Sequence, residues 1–273
     1  MATFFWALNP IALKLGAVEI HWYGVIIACG VVLALTLSIR EGKRQGIAED
    51  YFYDYLLWAI PVAIICARTY YVTFQWPYYV HHPGEIIAIW DGGIAIYGAI
   101  IGGFLTLYCF CRARHLSMWT MVDVIAPTLI MAQGIGRWGN FMNQEAFGRV
   151  TTRAALVAQH IPNWIIQQMD IGGAYRVPTF LYESLWDLTG FALLMLLRHR
   201  PHLFKRGEVF LSYVMWYAAG RFVIEGMRTD SLMLGSLRIS QVLSVLFFVS
   251  ALVIMVARRR KANLAWYWSN NKN

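Results

Sequence analysis

The chain has 273 residues, of which 59% are hydrophobic and 14% charged, with a mean hydropathy of +0.49 and a formal net charge of +8. A soluble domain carries roughly a quarter charged residues, so this composition excludes a single water-soluble domain and points to a polytopic membrane protein. Nor does the positive balance imply nucleic acid, because the basic residues sit mostly in short gaps between apolar runs, where they set orientation in a bilayer.

A membrane-spanning helix needs about 20 mostly apolar residues, and seven runs qualify. The first, 20–39, contains Ile26-Ile27-Ala28-Cys29, a tetrad resembling a lipobox. Only Lys14 precedes it and Glu19 lies close before it, so a permanent helix is expected rather than a cleaved signal. The second run, 55–74, contains Arg68, and the third, 92–111, follows Asp91 and holds Tyr97. The fourth, 120–137, ends in Arg137. A long connection, 138–177, is expected to form a small extracytoplasmic subdomain between spans four and five. The fifth run, 178–197, holds Glu183 and Asp187; the sixth, 208–225, holds Arg221 and Glu225; the seventh, 239–257, is uncharged. Trp266, Tyr267 and Trp268 suit an interfacial anchor past the last span. The expected fold is therefore all-α: residues 1–273 as one integral membrane domain, a helical bundle of about seven transmembrane helices with a small periplasmic or extracellular subdomain. Cys29, Cys66, Cys109 and Cys111 lie in apolar runs without zinc-ligand spacing or a disulfide framework, and read as buried free thiols.

Charge orients this bundle. Alternate connections hold Arg40, Lys43 and Arg44, then Arg112 and Arg114, then Arg198, Arg200, Lys205 and Arg206, and the tail adds Arg258, Arg259, Arg260 and Lys261. The positive-inside rule then places the N-terminus outside and the C-terminus in the cytoplasm. Ionisable groups inside a bilayer cost several kcal/mol unless paired or wet, so they mark function by default. On this orientation Arg68, Arg137 and Arg221, with Tyr23, Asp91, Tyr97, Tyr182 and Glu183, fall toward the outer leaflet, whereas Asp54 and Asp123 fall near the inner face and read as structural. Several inward arginines at one depth suit an anion, because the planar guanidinium binds two oxygens and keeps its charge in a poorly hydrated site. A phospholipid headgroup is the obvious anion there. Intramembrane charges and glycine-rich spans also suit a transporter, but the one-sided distribution and the lack of an inverted repeat speak against a through-path.

The stretch 136–148 reads Gly-Arg-Trp-Gly-Asn-Phe-Met-Asn-Gln-Glu-Ala-Phe-Gly. It resembles the signature of the prolipoprotein diacylglyceryl transferase family. Trp22-Tyr23-Gly24, Asp91-Gly92-Gly93 with Tyr97-Gly98, Pro178 with Leu181-Tyr182-Glu183, and Tyr217 with Arg221, Glu225 and Arg228 resemble further family motifs, so the likeness covers nearly the whole chain. It implies transfer of a diacylglyceryl group from phosphatidylglycerol to the lipobox cysteine of a prolipoprotein, forming a thioether and releasing glycerol phosphate, as the first step of bacterial lipoprotein maturation. It implies the bacterial plasma membrane as location, and phosphatidylglycerol, the prolipoprotein signal peptide and lipobox, and the bilayer as partners. Arg137 and Arg221 match the family's two essential arginines. Tyr23, Asn140, Asn143, Glu145, Gly148 and Glu225 match other functional positions. Arg137, Tyr23, Asn140, Asn143, Gly148, Arg221, Tyr217 and Arg68 are assigned to phosphatidylglycerol. Glu145 and Glu225 are candidate bases or, the preferred reading, the carboxylates that orient the arginines. The chain carries Tyr97 where many members have a histidine proposed as base, which leaves the base open. No cofactor and no metal is expected, since fixed cations can meet the leaving-group charge and no inward cluster of His, Cys or Asp is visible.

Overall fold

The computed structural model describes residues 8–16, 18–229, 233–235, 237–260 and 263–269. Lys261 and the Asp91 side chain lie outside the described residues. Among the described residues there are seven helices of 18 or more residues: α1 Trp22–Arg44, α2 Asp50–Phe74, α3 Ile96–Ala113, α4 Met118–Met142, α5 Thr179–Leu197, α6 Glu208–Glu225 and α7 Ile239–Arg259. Six are long and apolar enough to cross a membrane; α6 carries Glu208, Arg221 and Glu225 within its 18 residues. All seven predicted runs are therefore helices. The boundaries shift by up to five residues, at the end of α1, the start of α2 and the end of α4, where the helix continues past Arg137 and makes the start of the 136–148 motif helical.

By contacts the chain divides into two compact units, Met1–Leu37 with Val122–Asn273, and Ser38–Met121. In the Ser38–Met121 unit, α2 and α3 pack closely because Gly98 and Gly102, one turn apart on α3, present no side chain. A Cβ on Gly98 would lie 2.7 Å from the Ala67 Cα, and one on Gly102 would lie 2.8 Å from the Cys66 Cβ. Small residues of this kind let helix backbones approach in a membrane. The opposite faces carry Leu57, Trp58, Ile100 and Ile101, all more than half exposed, as a lipid-facing surface would be.

The larger unit is built around α4, the most buried of the six candidate spans at 61%, against 11% for α7. Helices α5 and α6 are locked by a reciprocal pair of tryptophans. Trp186 Nε1 donates to the Trp216 carbonyl and Trp216 Nε1 to the Trp186 carbonyl, both at 3.0 Å, with the rings stacked 4.4 Å apart. Each ring lies over a glycine of the opposite helix, Trp216 over Gly190 and Trp186 over Gly220. Gly190→Ala or Gly220→Ala is expected to destabilise the protein by about 1–3 kcal/mol through overpacking, read as a lower thermal midpoint in detergent, while alanine at the open Gly24 position changes little.

At the far end of this unit the fully buried Asp123 accepts from the Gly207 and Phe210 backbone N–H groups and so satisfies the start of α6. The equally buried Glu208 takes a two-point bond from Arg259, at 2.8 and 3.0 Å. Residues 265–267 pair with 204–206 through Arg206 N to Ala265 O, 3.0 Å, and Tyr267 N to Phe204 O, 2.8 Å. Tyr267 thereby enters the core with Ala126, Ile130, Leu194, Val209 and Tyr213. This corrects the expected place of Tyr267 at a lipid interface, because the pairing with 204–206 buries its ring.

The 143–178 connection has a core of its own. Leu156, Ile161, Ile165, Ile166 and Met169 pack on Phe141 at the end of α4 and Phe180 at the start of α5. Its short helices, Arg153–Ala158 and Asn163–Gln168, precede a hairpin that turns at Gly172 and Gly173 with φ of 64° and 78°, a conformation suited to glycine. The buried Gln168 side chain donates to the Phe141 carbonyl at 3.2 Å, and its own backbone carbonyl accepts from Gln144 at 2.7 Å.

Candidate active site

Three helices of the larger unit bring their charges to one carboxylate. Arg137 on α4 reaches Glu183 Oε1 on α5 at 3.0 Å, and Arg221 on α6 reaches the same oxygen at 3.4 Å. Arg221 also binds Glu225 Oε2, one turn along α6, at 2.7 Å. The two arginine side chains are 22% and 18% exposed, against 5% for Glu183 and 2% for Glu225. The carboxylates thus sit behind and the cations face the open side. Asp187 lies one turn below Glu183, 1% exposed and within electrostatic range of both guanidiniums. Tyr217 precedes Arg221 by one turn, its ring tilted against that of Tyr213 with centres 6.2 Å apart. The Trp138 indole donates to Ser184 at 3.1 Å and fixes α4 against α5 beside the arginine pair.

A second group of polar side chains lies where α4 ends. Asn140 and Asn143 both donate to Glu145 Oε1, at 3.0 and 3.4 Å. Glu145 is turned back toward the helix by Gln144 and Ala146, which hold φ of 53° and 57°, a left-handed conformation costly for residues with a side chain. Two anchors hold that turn: Gln144 donates to the Gln168 carbonyl, and Thr179 donates to the Ala146 carbonyl at 2.6 Å. The Tyr23 ring fills the space over Gly139, where a Cβ would stand 2.6 Å from it. Gly148 lies between chain segments: its N–H donates to Val177 O at 2.9 Å, and a Cβ there would meet Val177 at 2.8 Å.

The structure therefore brings together Arg137, Arg221 and Glu225 as read from sequence, and adds Glu183 as the carboxylate common to both arginines. Glu183 was visible as an intramembrane charge, but its part depends on how α5 crosses α4 and α6. Glu145, expected to orient an arginine, holds the two asparagines instead. Arg68 and Tyr97 belong to the Ser38–Met121 unit. There the buried Arg68 guanidinium donates to the carbonyls of Glu85, Ile86, Gly92 and Gly93 at 2.6–2.8 Å. It also lies 5.3 Å from the centre of the Tyr79 ring. With four N–H groups taken by backbone, Arg68 has become the clamp of the 85–93 loop, which revises its expected place at a phosphate. Arg68→Ala would strand four carbonyls, and a loss of about 3 kcal/mol or more is expected, read as a lower thermal midpoint and faster proteolysis in the loop; Arg68→Lys, lacking the planar fork, restores only part of it. The Tyr97 ring sits 6.4 Å from that of Tyr70.

The family model for prolipoprotein diacylglyceryl transferase matches residues 10–257. The chain belongs to the prolipoprotein diacylglyceryl transferase family. Relatives of this transferase-family chain carry the name phosphatidylglycerol–prolipoprotein diacylglyceryl transferase. One from Limosilactobacillus reuteri is 77% identical over 268 residues, covering 98% of this chain and 97% of its own. One from Lactiplantibacillus plantarum is 61% identical, covering 98% and 95%, and one from Listeria monocytogenes is 54% identical, covering 95% and 93%. In this diacylglyceryl transferase family member, then, the arginine pair lies on α4 and α6 with Glu183 between them.

Proposed function

We propose that the protein transfers the diacylglyceryl group of phosphatidylglycerol to the lipobox cysteine of a prolipoprotein. What carries the reading is the convergence of two partly open guanidiniums on one buried carboxylate, in a chain so close to transferases of that name. The thiolate attacks the glyceryl carbon that bears the phosphate. A carbon–sulfur bond forms, the carbon–oxygen bond breaks, and glycerol phosphate leaves with the bonding pair. Arg137 and Arg221 meet the phosphate as its charge grows, which is where preorganised cations act most strongly. Their nearness also favours the thiolate over the thiol, whose ordinary pKa is about 8.5. Asn140 and Asn143, held by Glu145, supply N–H donors to the headgroup glycerol, and Tyr23, Gly148 and Tyr217 shape the walls. Glu183 and Glu225 orient the arginines. Tyr97 remains a candidate for the proton.

The protein sits in the plasma membrane with its N-terminus outside and its C-terminus in the cytoplasm, which follows from the basic connections. The 138–177 region is then extracytoplasmic, on the side where a precursor's lipobox emerges. The test uses purified protein in detergent with phosphatidylglycerol and a lipobox peptide. A diacylglyceryl mass gain on the peptide with stoichiometric glycerol phosphate supports the reading; lipid binding without transfer by folded protein overturns it.

A further inference from the structure

A cavity of about 550 Å³ opens in the larger unit, lined by Arg149, Gln159, Val177, Tyr182 and Met227. That volume is ample for a ligand site, which commonly spans about 300–1,000 Å³. Its floor is fixed by backbone: Val177 N donates to Arg149 O at 3.1 Å, and Arg149 N donates to Met227 O at 3.2 Å. Val177 and Met227 are thus held on either side of the Gly148-Arg149 strand as an apolar base. The rim offers two donor groups, the Arg149 guanidinium and the Gln159 amide. The Tyr182 hydroxyl donates to Gln159 Oε1 at 2.5 Å, and among the described residues the Gln159 NH2 has no acceptor. Arg149 is exposed, and among the described residues its guanidinium has no acceptor. Among the described residues no carboxylate lines the cavity.

Donors over an apolar floor call for a ligand with spaced acceptors and small apolar groups. An extended peptide supplies both, with carbonyls along one edge and side chains alternating to the floor. A phosphate matches less well, since it would find one cation, uncharged donors and apolar side chains in a space far larger than itself. The walls also lead to the arginine site: Tyr182 immediately precedes Glu183, and Met227 follows Glu225 by two residues. We propose that this cleft seats the lipobox segment of the precursor, its carbonyls on Arg149 and Gln159 and its apolar side chains on Val177 and Met227. The proposal rests on the transferase reading above and names where that reaction's peptide is held.

The test titrates peptide and phosphatidylglycerol separately against the wild type and the double variant Arg149→Ala/Gln159→Ala. Loss of a charged hydrogen bond raises the peptide KM about tenfold or more. The kcat and the lipid KM stay within about twofold, the pattern of lost uniform binding. An unmoved peptide KM overturns the proposal, as does a rise in the lipid KM instead, which would make the cleft a headgroup site. A second readout needs no turnover: a lipobox peptide with serine for cysteine and a benzophenone at the preceding position is irradiated with wild type and variant. Labelling of Met227 that unlabelled peptide suppresses and the variant weakens supports the cleft, and labelling elsewhere overturns it. Met227 labelling by a protein that transfers nothing would sink the transferase reading while leaving a peptide site in place.

Discussion

Arg137→Ala is expected to lower kcat by about 100- to 1,000-fold, the effect of losing one preorganised charge stabiliser, or about 2.7–4 kcal/mol. The geometry explains why so little is recovered elsewhere. Glu183 would keep only Arg221, at 3.4 Å, and Arg221 is already drawn to Glu225 at 2.7 Å. Arg137→Lys should restore charge without full activity, because an ammonium cannot hold Glu183 and two phosphate oxygens in one plane. The comparison is made on purified variants whose elution volume and thermal midpoint match the wild type, with glycerol phosphate release as the signal. Full activity in the folded alanine variant would mean that the phosphate binds elsewhere.

Glu183 is the second point at which a single change should be costly. Glu183→Ala removes the one carboxylate that both Arg137 and Arg221 share and leaves two cations facing each other. Breaking a buried ion pair destabilises by about 3–5 kcal/mol, and the lower end is expected because the guanidiniums retain 22% and 18% exposure. Glu183→Gln separates orientation from mere shape. It keeps an acceptor oxygen but loses the charge, so the thermal midpoint should recover part of its value while kcat stays well below wild type. A glutamine variant with wild-type rate and stability would remove Glu183 from the site.

Hydropathy made the seven helices legible, because about 20 apolar residues in a row have few other uses. The same contrast exposed Arg137, Arg221 and Glu225, which stand out against apolar neighbours. Less legible was who pairs with whom. Glu183 and Glu145 are both glutamates near helix ends; the crossing of α5 over α4 and α6 gives the arginines to the first, and the left-handed turn at Gln144 and Ala146 gives the asparagines to the second. Arg68 looked like a ligand for phosphate because its true partners are carbonyls of a glycine-bearing loop, and backbone acceptors have no signature in sequence. Tyr267 looked like an interfacial aromatic for a similar reason: the pairing that draws it inward is made by main chain.

The crossed tryptophans between α5 and α6 also bear on traffic. Gly190 and Gly220 have no room even for a methyl group beneath the opposite indole. An acyl tail is far wider than a methyl, so this seam is shut to lipid along that stretch. A donor with two tails, and a product that carries them away, must pass through some other wall of the protein. The seam that carries Glu183 and Arg221 on its two helices is thus a closed back plate, and any door for the lipid is cut elsewhere.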